Sequence, residues 1–223
     1  MIFTVSAGHN PANSVACGAV GLLNESTENR IMVMKVIGWL RQEGHTVYDC
    51  TCDNGTSRDD VLDKIIRKCN MQRADLHISI HFNAGAKDPN GNGVTTGTEV
   101  LVTGTNASAK TVATRVASKI AEVGFRNRGV KNYPDLRFLK ETIGASILVE
   151  VCFVDDKDDV MKYTADRDLV AKKIAEGILG KEIAPSNNPL YRVQVGAYRD
   201  RSNAEKLVAD LKSKGFSGYI IEK

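Results

Sequence analysis

Leu76-His77-Ile78-Ser79-Ile80-His81 alternates residue by residue. Leu76, Ile78 and Ile80 fall on one face, and His77, Ser79 and His81 on the other, which is the period of a strand with two unlike faces. Working towards the N-terminus, Asp59 or Asp60 can cap a helix whose apolar face includes Leu62, Ile65 and Ile66. Residues 46–49 read as a short strand. Ile31, Met34, Ile37 and Leu40 share one helical face that stops near Gly44. Residues 2–7 form an apolar strand running into a Gly8-His9-Asn10-Pro11 loop. Working towards the C-terminus, residues 83–97 are rich in Gly, Asn, Asp and Pro and predict a long loop. A strand over 98–102, a helix over 109–123, a short strand over 137–139, an apolar strand over 147–153 and a helix over 166–179 follow. Strands alternating with helices predict an α/β fold, a mostly parallel central sheet with helices on both faces. In such sheets the ligand crevice lies beyond the carboxyl ends of the strands. His9, His81 and Glu150 map there.

Composition sets the outer limits. The 223 residues suffice for one α/β domain and something small. With 42% hydrophobic and 26% charged residues, the chain has no disorder signature. A net charge of +3 without a Lys/Arg stripe and interleaved aromatics argues against nucleic acid as a partner. The five cysteines, Cys17, Cys50, Cys52, Cys69 and Cys152, are odd in number and irregular in spacing. They read as free thiols of a chain folded in a reducing cytoplasm, most of them small buried hydrophobes. The start Met1-Ile2-Phe3-Thr4-Val5 is not a secretory signal, and no apolar stretch approaches the roughly 20 residues that span a bilayer.

Chemistry concentrates in few residues. A hydrolytic zinc site usually takes three protein ligands from His and carboxylate and leaves a fourth position for water. Of the four histidines, His9 and His81 fall at strand ends, His77 reads as core or as support for His81, and His45 sits in a turn without a role. Glu25 opens a helix after a flexible loop. Glu150 is flanked by Ile147, Leu148, Val149, Val151 and Phe153. A buried carboxylate must be paired, protonated or bound to a metal, so a structural ion pair stands beside the functional reading. Gly91-Asn92-Gly93 neither follows a strand closely nor opens a helix, which excludes a dinucleotide loop.

Four segments in order resemble the zinc amidases of the amidase type 3 family, found among autolysins, sporulation wall hydrolases and phage endolysins. They are Ser6-Ala7-Gly8-His9, Asn24-Glu25-Ser26-Thr27-Glu28-Asn29, Ala74-Asp75-Leu76-His77-Ile78-Ser79-Ile80-His81-Phe82-Asn83-Ala84, and Leu148-Val149-Glu150-Val151-Cys152-Phe153-Val154-Asp155. The resemblance implies His9, Glu25 and His81 as ligands of Zn2+ and Glu150 as the catalytic acid/base. Glu28 competes with Glu25. The family pattern, an acid with an Asn four residues on, favours Glu25 with Asn29, and Glu28 is then expected on the solvent side of the helix start, favouring the dipole. Asn83 is a candidate hydrogen-bond donor to substrate. The loop after His9 lacks the second glycine and the aspartate common in larger relatives. The implied reaction is hydrolysis of the amide between N-acetylmuramic acid and L-alanine in peptidoglycan. A non-catalytic peptidoglycan-binding protein and a zinc peptidase of the stem peptide are the alternatives.

The tail adds a second resemblance. Tyr191-Arg192-Val193-Gln194-Val195-Gly196-Ala197-Tyr198, followed by Asn203-Ala204-Glu205-Lys206-Leu207, is similar to the start of a sporulation-related repeat (SPOR) domain, which binds glycan strands. The expected organisation is a catalytic domain over 1–181, a linker over 182–189 and a small β-α-β wall-binding unit over 190–223, with strands over 191–197 and 218–222 and Gly215 capping the helix between them. One such unit is half of the usual domain, so pairing of two chains into a homodimer is an expectation. Synthesis without a signal peptide, followed by release through phage lysis or mother-cell lysis, would bring the chain to the wall.

Overall fold

Six strands form one mixed sheet in the order β2-β1-β3-β6-β4-β5. The computed structural model describes residues 1–104, 106–184, 194–214 and 218–221. The strands are β1 (Ile2–Ala7), β2 (Thr46–Asp49), β3 (Leu76–Asn83), β4 (Thr98–Val102), β5 (Asn127–Asn132) and β6 (Ser146–Phe153). The helices are α1 (Glu25–Gln42), α2 (Arg58–Asn70), α3 (Ala107–Ala121), α4 (Arg137–Glu141), α5 (Lys157–Ala165), α6 (Arg167–Leu179) and α7 (Arg201–Ser213). Strands β2, β1, β3 and β6 run parallel, and β4 pairs antiparallel with β6 and parallel with β5. The α/β sheet expected from the alternation is therefore present, with its last two strands reversed.

The two faces of β3 meet different layers. Leu76, Ile78 and Ile80 join Phe3, Val5, Ile147 and Val149 under α1, α3 and α6, whose Val33, Val36, Ala113, Val116, Val170 and Ile174 are buried there. The opposite face carries a smaller cluster, with Leu101 and Leu148 against Val61, Ile65 and Ile66 of α2 and Phe138 and Leu139 of α4. His77 is fully buried on that side, with Nδ1 2.7 Å from Thr4 Oγ1 and Nε2 3.2 Å from the Ile143 carbonyl. It is a satisfied core histidine. Cys50, Cys52, Cys69 and Cys152 are buried, and the five thiols are free.

Local chemistry moves several expected boundaries. Ser57, not Asp59 or Asp60, caps α2, its hydroxyl accepting from the Asp60 N–H at 3.1 Å. Residues 137–139 are the start of helix α4 and not a strand. The Arg137 guanidinium reaches Glu141 four residues on and Asp63 of α2, which favours one helical turn. Strand β5 and helix α5 were not expected at all. The loop between β3 and β4 is held by one acidic run: Asp155 accepts from Gly85, Ala86 and Lys87, Asp158 from Asn92 and Gly93, Asp156 from Thr96, and Asp159 from Gly97.

Contacts divide the chain into Met1–Ile183 and Ala184–Lys223. In the second unit α7 is the one regular element among the described residues, and none of its residues is buried. Residues 194–197 and 218–221 carry no strand, while residues 185–193, 215–217 and 222 of the expected linker, strands and cap lie outside the described residues. A strand needs a partner to satisfy its backbone groups, and a unit this small offers little apolar surface to hold one.

Candidate metal centre

Residue placement at the carboxyl ends of β1 and β3 follows from the strands themselves. His9 lies just past β1, and His81 is the last polar-face residue of β3 before its register shifts against β6. Glu25 is the first residue of α1, capped by the Asn24 side chain, which accepts from the Thr27 N–H. These three converge. Glu25 Oε1 lies 3.2 Å from His9 Nε2 and 3.0 Å from His81 Nδ1. The two imidazoles meet edge to face, with centroids 4.9 Å apart. One ligand atom from each residue lies within 4.8 Å of the others.

Supporting contacts fix each donor. The second Glu25 oxygen accepts the Ala19 N–H at 2.8 Å, and Oε1 also accepts from the Phe82 N–H at 3.2 Å. His81 Nε2 lies 3.1 Å from Ser79 Oγ, which leaves Nδ1 facing the carboxylate. Burial works to raise the Glu25 carboxyl, but hydrogen bonding to His81 and His9 outweighs it and holds the group well below the usual carboxylate range. Burial also lowers His81, against the pull of Glu25, and so favours the neutral imidazole that a metal ligand needs. Two imidazoles and one oriented carboxylate fit a catalytic zinc donor set. Two glycines make room for it. A Cβ on Gly8 would sit 1.7 Å from His81 Cε1, and one on Gly18 would sit 2.4 Å from Glu25 Oε2.

Glu28 does not join this group. Contrary to the solvent position expected for it, Glu28 is buried, accepting from the Tyr163 hydroxyl at 2.9 Å and from Arg167 Nε and Nη2 at 2.9 and 3.1 Å. It ties α1 to α5 and α6.

Glu150 stands opposite His81 in the β3–β6 register. Its Oε2 is buried and has no hydrogen-bond partner. Burial first, then the charges of Glu25 and Glu99, push its carboxyl up to about 8. The structural ion pair weighed from sequence is thus absent at this carboxylate among the described residues. Glu99, in register with Glu150 across β4, is a second acid on the same wall. It is held by Arg128 Nε at 2.8 Å and Asn83 Nδ2 at 2.9 Å. Asn83 therefore spends one amide hydrogen on Glu99.

Sequence reasoning missed Gly18, Arg30, Glu99 and Arg128. An acid inside the apolar run of β4 was the available signal for Glu99, the same one that singled out Glu150. Arg30 had none. Its guanidinium donates to the carbonyls of His9 at 2.6 Å, Ser26 at 2.9 Å and Cys52 at 3.0 Å, and so anchors the loop that carries His9.

The sequence pattern described as N-acetylmuramoyl-L-alanine amidase matches residues 4–180, and the one described as SPOR domain matches residues 167–223. Their overlap falls on α6, whose Val170, Ala171 and Ile174 are buried in the main core. The chain is similar to an uncharacterised protein of Clostridium perfringens, 35% identical over 85% of this chain and 55% of that protein. It is 33% identical to the N-acetylmuramoyl-L-alanine amidase CwlM of Bacillus licheniformis, over 68% of this chain and 58% of that one. The chain spans little more than half the length of these curated relatives. Among solved structures it resembles the catalytic domain of the CD27L endolysin targeting Clostridia difficile, with a TM-score of 0.73 and 29% identity over 82% of this chain and 99% of that one.

Proposed function

We propose that this chain, which belongs to the N-acetylmuramoyl-L-alanine amidase family, is a zinc-dependent hydrolase that cleaves the amide between N-acetylmuramic acid and L-alanine in bacterial peptidoglycan. The observation that carries the reading is the convergence of His9, Glu25 and His81 beside the half-buried Glu150, whose inner oxygen has no hydrogen-bond partner. Metal dependence is general in this family, and His9, Glu25 and His81 are the residues that would hold zinc. When bound, zinc would polarise the scissile carbonyl and make a water acidic near neutral pH.

The chain's own residues supply the rest. Glu150 Oε2 faces no protein donor, so it is free to take a proton from the attacking water and to return it to the departing alanine amine. A proton acceptor titrating near neutrality is suited to both transfers. The Ser79 hydroxyl and the Ala19 N–H orient His81 and Glu25, and Arg30 fixes the His9 loop.

The similarity of residues 167–223 to SPOR domains supports peptidoglycan binding by the tail. We place the enzyme at the cell wall, reached when the producing cell is lysed. Pairing of two tails into a homodimer is tested by light scattering at tens of micromolar, where a monomer would exclude it. The reaction itself is tested by digesting purified peptidoglycan with and without a chelator. Chelator-sensitive release of L-alanine amino termini without new reducing sugars is expected. New amino termini within the stem peptide would instead indicate a peptidase, and binding without cleavage would indicate a wall-binding protein.

A further inference from the structure

We propose that Arg128 is a specificity-determining residue that binds a free carboxylate on the peptide side of the scissile amide, through the two terminal nitrogens of its guanidinium. The inference rests on the amidase reading and narrows its substrate to acidic peptides.

The guanidinium is held at one end and open at the other. Nε donates to Glu99 Oε2 at 2.8 Å, and the group lies over the Phe153 ring, 5.0 Å from its centroid. Both contacts fix its plane. Among the described residues, Nη1 and Nη2 make no hydrogen bond, and the Arg128 side chain is 30% exposed against 9% for Glu99. A guanidinium fork that is pre-oriented and unpaired matches the two oxygens of a carboxylate.

Its position is set by the sheet. Glu99 is in register with Glu150 across the β4–β6 ladder, and directly opposed residues of an antiparallel pair lie about 5 Å apart at Cα. Arg128, on β5, reaches back to Glu99, so the open fork lies on the wall that Glu150 begins. That wall is otherwise acidic. Glu99, whose carboxylate Arg128 holds through one nitrogen, would repel a peptide carrying its own carboxylate close to the cleavage point. Arg128 offsets this repulsion and gives such a carboxylate a defined place. Neutralising Glu99 alone would require only the Nε contact or a lysine. It would leave the exposure of the other two nitrogens without a use.

The test uses the full-length zinc-loaded chain and two synthetic N-acetylmuramoyl peptides. They are identical except at the residue after alanine, which bears a free carboxylate in one and its carboxamide in the other. Wild type should prefer the acid, chiefly through KM. In Arg128→Gln the acid-to-amide ratio of kcat/KM should fall by roughly 10- to 100-fold, the range of a lost hydrogen bond to a charged group. Arg128→Lys keeps a cation beside Glu99 but loses the fork, and its ratio should fall part of the way. Equal losses on both peptides in both variants would assign Arg128 to support of Glu99 and overturn the proposal. So would a wild type that cleaves both peptides without preference, and in that case the amidase reading survives. Failure of wild type to cleave either peptide or intact peptidoglycan would sink both.

Discussion

Replacing Glu150 with glutamine should make the metal-free protein more stable while removing most of its activity. The carboxyl ordinarily titrates at 4.5 and is pushed up to about 8 by burial and by the charges of Glu25 and Glu99. Below pH 4.5 it is protonated in the folded and unfolded chains alike, and no stability is lost. Between 4.5 and about 8 the unfolded chain ionises and the folded one does not, so stability falls by about 1.4 kcal/mol per pH unit. Above 8 the loss levels off. At pH 7 the cost is therefore about 3 kcal/mol, and at pH 5 it is below about 1 kcal/mol. Glutamine keeps the shape of the protonated acid and cannot ionise, so Glu150→Gln recovers that cost. For a chain of this size, about 3 kcal/mol corresponds to roughly 6–12 °C in Tm.

The assay is thermal unfolding of chelator-treated wild type and Glu150→Gln at pH 5 and pH 7. A gain that is large at pH 7 and small at pH 5 is expected. It should shrink when zinc is restored, because a nearby dication favours the ionised carboxylate. Turnover by the zinc-loaded variant should drop about 100- to 10,000-fold with metal content unchanged. An equal gain at both pH values, or none, would show that Glu150 finds a partner in the fold and would refute the argument from its isolation.

Other consequences follow from the same contacts. Glu25→Ala should release zinc, measured by metal analysis after gel filtration, whereas Glu28→Ala should keep it and lose about 2–3 kcal/mol in a urea melt by stranding Arg167 and Tyr163. The opposite pattern would exchange the roles of the two acids. Gly8→Ala should lower both zinc content and Tm, because its Cβ would overlap the His81 ring; a variant with normal zinc content would mean that the β1–β3 pair can spread there. Arg30→Met should weaken zinc affinity about 10- to 100-fold, as loss of an orienting group does, with the ligands untouched. Titration with a competing chelator measures it, and an unchanged constant would leave Arg30 a purely structural role.

What the sequence disclosed depended on where each partner lies along the chain. Strands β3 and β6 were legible because central strands bury one or both faces and show it as alternation or as an apolar run. Strand β5, Asn-Arg-Gly-Val-Lys-Asn, lies at the sheet edge with one apolar residue and shows no period. Residues 137–139 are too few to display a period, and the Arg137–Glu141 pair that decides for helix extends beyond them. His9, His81 and Glu150 were legible because strand ends in a parallel sheet face the crevice. Glu25 rested on family resemblance, and Glu28 was misplaced because its partners, Tyr163 and Arg167, lie 135 and 139 residues away. Steric facts such as the contact of Gly8 with His81 have no local signature.

The fold gives three neighbouring acids three different fates. Glu25 is held ionised by two imidazoles and backbone N–H groups. Glu99 is balanced by Arg128 and Asn83. Glu150, in register with both His81 and Glu99, is half-buried, its inner oxygen has no hydrogen-bond partner, and it favours its proton. When environments push the affinities of adjacent carboxyls apart, each can do one job without competing for the others' proton. A ligand carboxylate must stay ionised, and a proton carrier must be able to do both. The sheet achieves the separation through register: an acid on β6 placed between strands whose own polar groups are already engaged is left with only water or substrate to serve.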